Sequence, residues 1–193
     1  MSAEIVPRSC PGTMEFPSRA LVEARQVGVR DVVLTALHTG MRHGELLAVR
    51  WGQVGLVRRE ILVEAATEKA LRGRVVPMTG VLHERLVALR KEHPRDVAGD
   101  DPVFVASDGS AITTKVLRAG FERAVKRCLG IPLAKRSKVR FHCLRHAAAS
   151  LMVAEGFPLF DVAKILGHST IAVTMRYAHF AQAAGRAGID NLG

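Results

Sequence analysis

The only tyrosine of this chain, Tyr177, occurs with arginines and histidines whose types and order suit phosphoryl transfer. The segment TGMRHGELLAVRW contains Arg42, FHCLRHAAAS contains His142 and Arg145, and LGHSTIAVTMRYAHF contains His168 and Tyr177. A phenol is a poor nucleophile at neutral pH because its pKa is about 10. Positive charges beside it stabilise the charge that develops on phosphorus and oxygen. The set therefore predicts attack by a tyrosyl oxygen on a phosphodiester, with cations holding the phosphate in place of a metal.

The spacing of these residues can be read in two ways. His142 and Arg145 are three residues apart at the start of a predicted helix, so they share a face where free N–H groups favour an anion. The same pair could also form a helix cap and a structural ion pair. Tyr177 follows His168 by nine residues, and a lone tyrosine is usually a packing residue. Its neighbours do not form a simple apolar stripe, which favours the functional interpretation.

The charge of the chain indicates a polyanionic partner. The formal net charge is +10 at pH 7 and the sequence pI is near 10.4. Residues 126–146 contain many Lys and Arg and no acidic residue, which favours nucleic acid over a merely solvated basic surface. Arg136, Lys138 and Arg140, in the middle of this run, are the predicted DNA-binding residues.

Length and cysteine content narrow the class of protein. The 193 residues are enough for one good core and at most two small domains. No run of about 18 apolar residues predicts a transmembrane helix, and the first residues lack the apolar core of a secretory signal. The three cysteines are an odd number without CxxC pairing, which favours reduced thiols in a cytoplasmic protein. They are Cys10, Cys128 and Cys143.

The elements that must position the candidate residues are mostly helices. Apolar spacing and Gly or Pro punctuation mark their bounds. The predicted helices span residues 18–39, 81–92, 113–129, 142–155, 158–167 and 170–177. Strand-forming residues at 60–66 and 74–78 flank a charged turn and predict an antiparallel hairpin. A short helix around Glu45 and a short strand after residue 102 complete an α+β fold that is mainly helical.

The three segments quoted above closely resemble the conserved boxes of the tyrosine recombinases, also called phage integrases. The resemblance in order and spacing covers residues 18–180 and is specific, since an arginine box, HxxRH, LGH and a tyrosine nine residues later rarely coincide. It implies the catalytic-domain fold of these DNA breaking-rejoining enzymes. It also implies site-specific recombination or integration of double-stranded DNA through a 3′-phosphotyrosyl intermediate, without a cofactor.

The resemblance also implies a role for each matching position. Arg42 resembles the first catalytic arginine, and Arg145 the second. His142 pairs with Arg145 and is the expected general base for the tyrosyl proton. His168 resembles the LGH histidine, which together with the arginines stabilises the transition state. Tyr177 resembles the nucleophile.

Two further residues gain a role from the resemblance alone. Lys69 resembles the hairpin lysine that protonates the leaving 5′-oxygen as a general acid, although Ala70 and Leu71 stand where small polar residues are usual. It precedes Pro77 by eight residues, as in the K…RxVP pattern of the family. Glu45 resembles the acidic residue that orients Arg42 through a charge-assisted hydrogen bond. Trp51, in contrast, fits a packing position.

A zinc site is the competing interpretation of the histidines. His142 and His146 are four residues apart, as in helical zinc sites. The HExxH glutamate is absent, and Cys143 would point elsewhere on the helix. The sequence therefore predicts that the site contains no metal.

The resemblance to the tyrosine recombinases also implies a domain organisation. Residues 1–15 are expected to be a flexible segment, 16–180 the catalytic domain and 181–193 a tail. Family members usually carry an N-terminal helical domain that clamps the DNA, and this core-binding domain is predicted to be absent here. Expected partners are DNA, further copies of the chain in a tetrameric synapse, and a separate DNA-binding domain or accessory protein. A bacterial or phage-encoded protein at the nucleoid would fit these partners.

Two other functions stay open at this point. A type IB topoisomerase shares the chemistry but relaxes a single duplex. A catalytically silent relic would keep the fold for DNA binding alone.

Overall fold

The computed structural model describes residues 28–64, 73–93, 96–128 and 131–180. These residues form a mainly helical α+β structure with one small antiparallel sheet, which confirms the predicted fold class. Within these ranges, no helix is both long enough and apolar enough to cross a membrane. Lys69, Cys10, the first residues and the tail from 181 onward lie outside the described residues.

Eight helices and three strands are labelled in chain order among the described residues. The helices are α1 Val29–Thr39, α2 His43–Ala48, α3 Gly80–Glu92, α4 Thr114–Arg127, α5 Leu133–Arg136, α6 His142–Ala154, α7 Leu159–Leu166 and α8 Ala172–Met175. The strands are β1 Val54–Gly55, β2 Glu60–Val63 and β3 Arg74–Pro77, and a 3₁₀ turn covers Trp51–Gln53.

Two glycines end the helices that lead into the site. Gly40 closes α1 and Gly167 closes α7, both in the left-handed conformation with φ of 65° and 67°. Glycine reaches this conformation without steric strain. A Cβ at Gly40 would also lie 2.2 Å from Leu166 Cδ2, so any larger residue here would force the Leu166 side chain to shift. Pro158 precedes α7 at its N-cap, as the sequence predicts.

The sheet has the order β1-β2-β3, and β2 and β3 pair antiparallel as the predicted hairpin. Ile61 faces Val76 and both are buried, whereas Leu62 and Val75 pair on the exposed side. This alternation is the period of a half-buried strand. The register also fixes Arg74 at the first position of β3, opposite the end of β2.

The apolar core has two clusters. The larger one joins α1, α4 and the sheet, and it contains Trp51, which is 3% exposed and therefore packs as predicted. The smaller one lies around α6 and α7 and includes Leu166, Tyr177 and Phe180. Burial of each such large side chain contributes roughly 1.5–3 kcal/mol. The second cluster thus fixes the position of the tyrosine segment relative to α6.

Two local predictions were wrong. The helix predicted to run through Tyr177 ends at Met175, and Tyr177 lies in the following turn, where its N–H donates to Thr174 O at 2.9 Å. The β-branched residues Ile171 and Val173 lower the helix propensity there. The strand expected after residue 102 is reduced to an isolated bridge between Val105 and Ala111.

Candidate active site

Three arginines from three separate elements meet at the C-terminal end of α7. Arg42 Nη2 donates to Gly167 O at 3.4 Å, Arg74 Nε to Ile165 O at 2.8 Å, and Arg145 Nη2 to Leu166 O at 2.7 Å. The last carbonyl groups of a helix lack partners within the helix and form the negative end of its dipole. This helix end therefore gathers cations directly before the next residue, His168.

Arg145 is the most deeply buried of the three. The residue is 4% exposed, and its Nη1 also donates to Gly40 O at 2.8 Å. Burial, and then the neighbouring charge of Arg42, lowers the pKa of Arg145 to about 10. The guanidinium remains protonated at neutral pH and is held in one orientation by two backbone carbonyls.

Glu45 connects two of the arginines. Its Oε1 accepts from Arg42 Nη1 at 3.1 Å and from Arg74 Nη1 at 2.9 Å. Its Oε2 accepts from the Arg42 backbone N–H at 2.8 Å and from Arg74 Nη2 at 2.7 Å. Burial raises the pKa of this carboxyl, but the hydrogen bonds and charges of Arg74 and Arg42 outweigh it and the net pKa is lowered. Glu45 is therefore an ionised anchor for both guanidinium groups.

Tyr177 is buried beside the histidines of α6. It is 2% exposed, and its hydroxyl is hydrogen-bonded to Nδ1 of His146 at 2.5 Å. The ring of His146 in turn packs edge-on against His142, with the centroids 4.8 Å apart. The tyrosine hydroxyl thus lies against a pair of imidazoles that share one face of α6.

His142, His146 and His168 have lowered pKa values. Burial is the largest cause in each case, followed by neighbouring positive charge, from His142 for His146 and from Arg145 for the other two. The pKa falls to about 4 for His146 and for His168. At neutral pH these imidazoles are uncharged, so they can accept a proton.

His168 is oriented by the segment that carries the tyrosine. Its Nδ1 and the hydroxyl oxygen of buried Thr174 share a hydrogen bond of 2.7 Å. A hydrogen bond at one ring nitrogen fixes the orientation and the tautomer of an imidazole. Thr174 therefore links the LGH histidine to the turn of Tyr177.

A cavity of about 500 Å³ opens beside Arg42, His142 and Arg145. It is lined by Met41, Arg42, His43, Gly44, Glu45, Phe141, His142 and Arg145. Two guanidinium groups and two imidazoles share this lining, which is the chemistry of an oxyanion site. The cavity has the charge and the volume to hold a phosphodiester.

Most of the residues predicted from the sequence are brought together here. Arg42, Glu45, His142, Arg145, His168 and Tyr177 all belong to the cluster just described. The basic run behaves differently. The guanidinium of Arg136 donates to Ile131 O and Lys126 O, and that of Arg140 donates to Ser137 O and Val139 O. Lys138 and Arg140 are exposed.

Two residues of the cluster were missed by the sequence interpretation. His146, considered only as a zinc ligand, is in contact with the tyrosine hydroxyl. Its signal was the second histidine of HxxRH, one turn after His142. Arg74 had no signal beyond its place in the RxVP string, because its partners lie far away in the sequence. Among the described residues, no group of three or more His, Cys, Asp or Glu side chains could hold a metal ion.

Comparison with known proteins gives consistent matches. A sequence model of the phage integrase family matches residues 14–184. The chain is 30% identical over 190 residues to tyrosine recombinase XerC of Bifidobacterium longum, covering 92% of this chain and 51% of that protein. The chain thus spans about half the length of this curated relative.

Solved structures agree on the fold. The catalytic domain of bacteriophage HP1 integrase matches with a TM-score of 0.62 and 27% identity, over 91% of this chain and 90% of that one. The Tn1549 transposon integrase in complex with transposon right end DNA matches with a TM-score of 0.73 and 20% identity, over 97% and 67%. The fold is therefore that of a tyrosine recombinase catalytic domain.

Proposed function

Because the chain belongs to the phage integrase family, we propose that it cleaves and rejoins DNA strands in site-specific recombination, with Tyr177 as the nucleophile. One observation carries this proposal. The only tyrosine of the chain has its hydroxyl on a neutral imidazole, beside a cavity lined by Arg42 and Arg145. This arrangement supplies a nucleophile, a proton acceptor and fixed positive charge within one site.

The reaction follows from these groups. Tyr177 Oη attacks phosphorus, and its proton passes to the imidazole pair, in which His146 holds the hydroxyl and His142 is the predicted base. Arg42 and Arg145, with His168, stabilise the charge on the non-bridging oxygens. The bond from phosphorus to the 5′-oxygen breaks, and that oxygen takes a proton, for which Lys69 is the predicted donor.

The products of cleavage are a 3′-phosphotyrosine and a free 5′-hydroxyl. A 5′-hydroxyl of another strand can attack the phosphotyrosine and release Tyr177. The energy of the phosphodiester is kept in the covalent intermediate, so rejoining requires neither ATP nor a metal ion.

Double-stranded DNA is the proposed partner. The net charge of +10 supports this, as do the exposed residues Lys138 and Arg140. The Tn1549 integrase, which shares the fold, was solved in complex with DNA. Self-association on DNA and a cytoplasmic location at the nucleoid belong to the same proposal.

The relatives and structures reported above are all named recombinases or integrases, which favours recombination over the two other functions. A type IB topoisomerase would relax a supercoiled plasmid without joining two sites. A silent relic would bind DNA and form no covalent bond. A plasmid relaxation assay run beside a two-site recombination assay separates these outcomes.

The direct test uses nicked suicide duplexes with a randomised central sequence, incubated with the chain in excess EDTA. We expect a protein–DNA adduct that survives denaturing electrophoresis. Tyr177→Phe should form no adduct and should bind the same DNA with unchanged affinity. Failure of the wild-type chain to form any adduct, or a requirement for a divalent ion in the cleavage step, would contradict the mechanism.

A further inference from the structure

We propose that Arg74 is a positioning residue for strand cleavage, which fixes Glu45 and the end of α7 so that Arg42 and His168 face the phosphate. This inference rests on the proposed function. It assigns a role to a residue that the sequence pattern did not mark and that does not line the cavity of about 500 Å³.

The contacts of Arg74 tie three parts of the site together. Its Nη1 and Nη2 donate hydrogen bonds to the two carboxylate oxygens of Glu45 at 2.9 and 2.7 Å, in the forked geometry that arginine alone provides. Its Nε donates to Ile165 O at 2.8 Å, in the last turn of α7. One guanidinium on β3 therefore connects the arginine box to the LGH histidine.

The burial of Arg74 supports a positioning role. Its side chain is 18% exposed, compared with 50% for Arg42, and three of its five N–H groups are used in the contacts above. The guanidinium faces protein groups, whereas Arg42 keeps an exposed face toward the cavity. Arg42 can thus bind phosphate while Arg74 holds its anchor.

Charge balance gives the physical reason for a second arginine. With Arg42 as its only partner, the ionised carboxylate of Glu45 would draw that guanidinium toward itself and away from a phosphate. Arg74 supplies the neutralising charge, so Glu45 can orient Arg42 without competing for it. A buried carboxylate that loses one of two cations becomes an unbalanced charge.

The packing of Gly167 adds a steric constraint. A Cβ at Gly167 would lie 3.0 Å from Arg74 Cζ and Nη1, and the φ of 67° already favours glycine. The guanidinium is thus pressed against the backbone that immediately precedes His168. A displaced Arg74 would move this backbone, and with it the imidazole that follows.

The test compares single-turnover adduct formation and DNA affinity in wild type, Arg74→Met and Arg74→Lys. Arg74→Met should slow cleavage on the order of 10- to 100-fold, as expected for misplaced reacting groups, and change DNA affinity by less than about threefold. Arg74→Lys should fold and should cleave faster than Arg74→Met but slower than wild type. Its ammonium balances the charge of Glu45 but cannot bind Glu45 and Ile165 O together as a guanidinium does. The matched control is Arg58→Met, which removes an exposed arginine paired with Glu60 at 2.7 Å and should cleave like wild type.

A double variant separates positioning from general damage. Because part of the effect of Arg74 passes through Glu45, Glu45→Gln/Arg74→Met should lose less rate than the product of the two single losses. Independent, multiplying losses would overturn the proposal, as would wild-type cleavage rates in Arg74→Met or in Arg74→Lys. If Arg74→Met does not fold, the cleavage rate of Arg74→Lys tests the proposal. A reduced rate supports the positioning role, and a wild-type rate contradicts it.

A readout without catalysis distinguishes failure of this inference from failure of the proposed function. NMR titration of the Glu45 carboxyl, without DNA, should give a pKa below the ordinary glutamate range in wild type and in Arg58→Met. In Arg74→Met the pKa should rise, and in Arg74→Lys, which keeps the charge but loses the forked hydrogen bonds, it should rise by less. An unchanged Glu45 titration would overturn the positioning role even if the wild type cleaves DNA, and a raised pKa would support the contact even if no adduct forms.

Discussion

The cations and the proposed nucleophile of the site are held in different ways. Arg42, Arg74 and Arg145 come from distant parts of the chain, and each donates to a carbonyl at the end of α7. Tyr177 lies in a turn after the four-residue helix α8, and the hydrogen bond of its hydroxyl is to His146. The cationic half is built from long-range contacts, whereas the nucleophilic half depends on a short local segment.

This difference indicates how the two halves contribute to the reaction. Preorganised charge is effective only when it does not reorganise as the reaction proceeds, which the carbonyl contacts of the arginines ensure. The tyrosine segment exposes Val173, Met175 and Arg176, while Tyr177 itself is buried. We therefore expect removal of the buried Arg145 to affect both chemistry and folding, and removal of the half-exposed Arg42 or of the His146 hydrogen bond to affect mainly the chemistry.

The largest expected effect is the loss of cleavage rate when Arg42 or Arg145 is removed, and the two variants should differ in stability. Arg42→Ala and Arg145→Ala should each slow adduct formation by about 10²-fold or more, the scale of one lost preorganised charge. Only Arg145→Ala should also lower stability, by roughly 1–3 kcal/mol for each buried carbonyl left without its donor. Those carbonyls are Gly40 O and Leu166 O, whereas Arg42 is half exposed. Single-turnover kinetics measure the rate of adduct formation, and denaturant unfolding measures the stability. Equal losses of stability in Arg42→Ala and Arg145→Ala would contradict this difference between the two arginines.

A smaller effect is expected in the nucleophilic half. His146→Leu removes the hydrogen bond to the Tyr177 hydroxyl, and a bond worth about 1.4 kcal/mol corresponds to about a tenfold slower cleavage. DNA affinity should not change, since His146 faces the protein interior at the tyrosine. The control is His179→Leu, at an exposed histidine two residues after the nucleophile. Equal rates in wild type and His146→Leu would show that this hydrogen bond does not serve the reaction.

The smallest expected effect is a pH dependence of stability. The pKa values of His146 and His168 are near 4 in the folded chain, below the ordinary value of 6.5. Between these pH values the unfolded chain binds more protons, so the free energy of unfolding falls as the pH is lowered from about 6.5 toward 4. Thermal unfolding of wild type and His146→Leu should show a shallower decline in the variant over this window. A steeper decline in His146→Leu would contradict the assigned burial effect.

Local sequence patterns predicted the parts of the site that depend on local rules. Gly40, Pro158 and Gly167 marked helix ends because φ restricts which residues fit there. Alternating apolar residues identified the β2–β3 hairpin. The residue types of Arg42 and Tyr177 carried enough chemistry to suggest their roles.

The remaining features depend on contacts between distant residues. Arg74 reaches Ile165 O across 91 positions of the chain, and no periodicity records such a bond. His146 was visible in the sequence as the second histidine of HxxRH, but its contact with the Tyr177 hydroxyl joins residues 31 positions apart. DNA contact by Arg136 and Arg140 stays a prediction of the basic run, which gave no sign that both guanidinium groups also donate to backbone carbonyls. Charge alone does not distinguish an arginine that faces solvent from one that caps a loop.

The central claim is that Tyr177 forms the covalent bond to DNA. The most direct measurement is to isolate the adduct from nicked suicide DNA, digest it with nuclease and protease, and map the modified peptide by mass spectrometry. We predict a nucleotide joined through its 3′-phosphate to Tyr177, together with DNA ends that carry free 5′-hydroxyl groups. A nucleotide on any other residue, or a bond through a 5′-phosphate, would contradict the account.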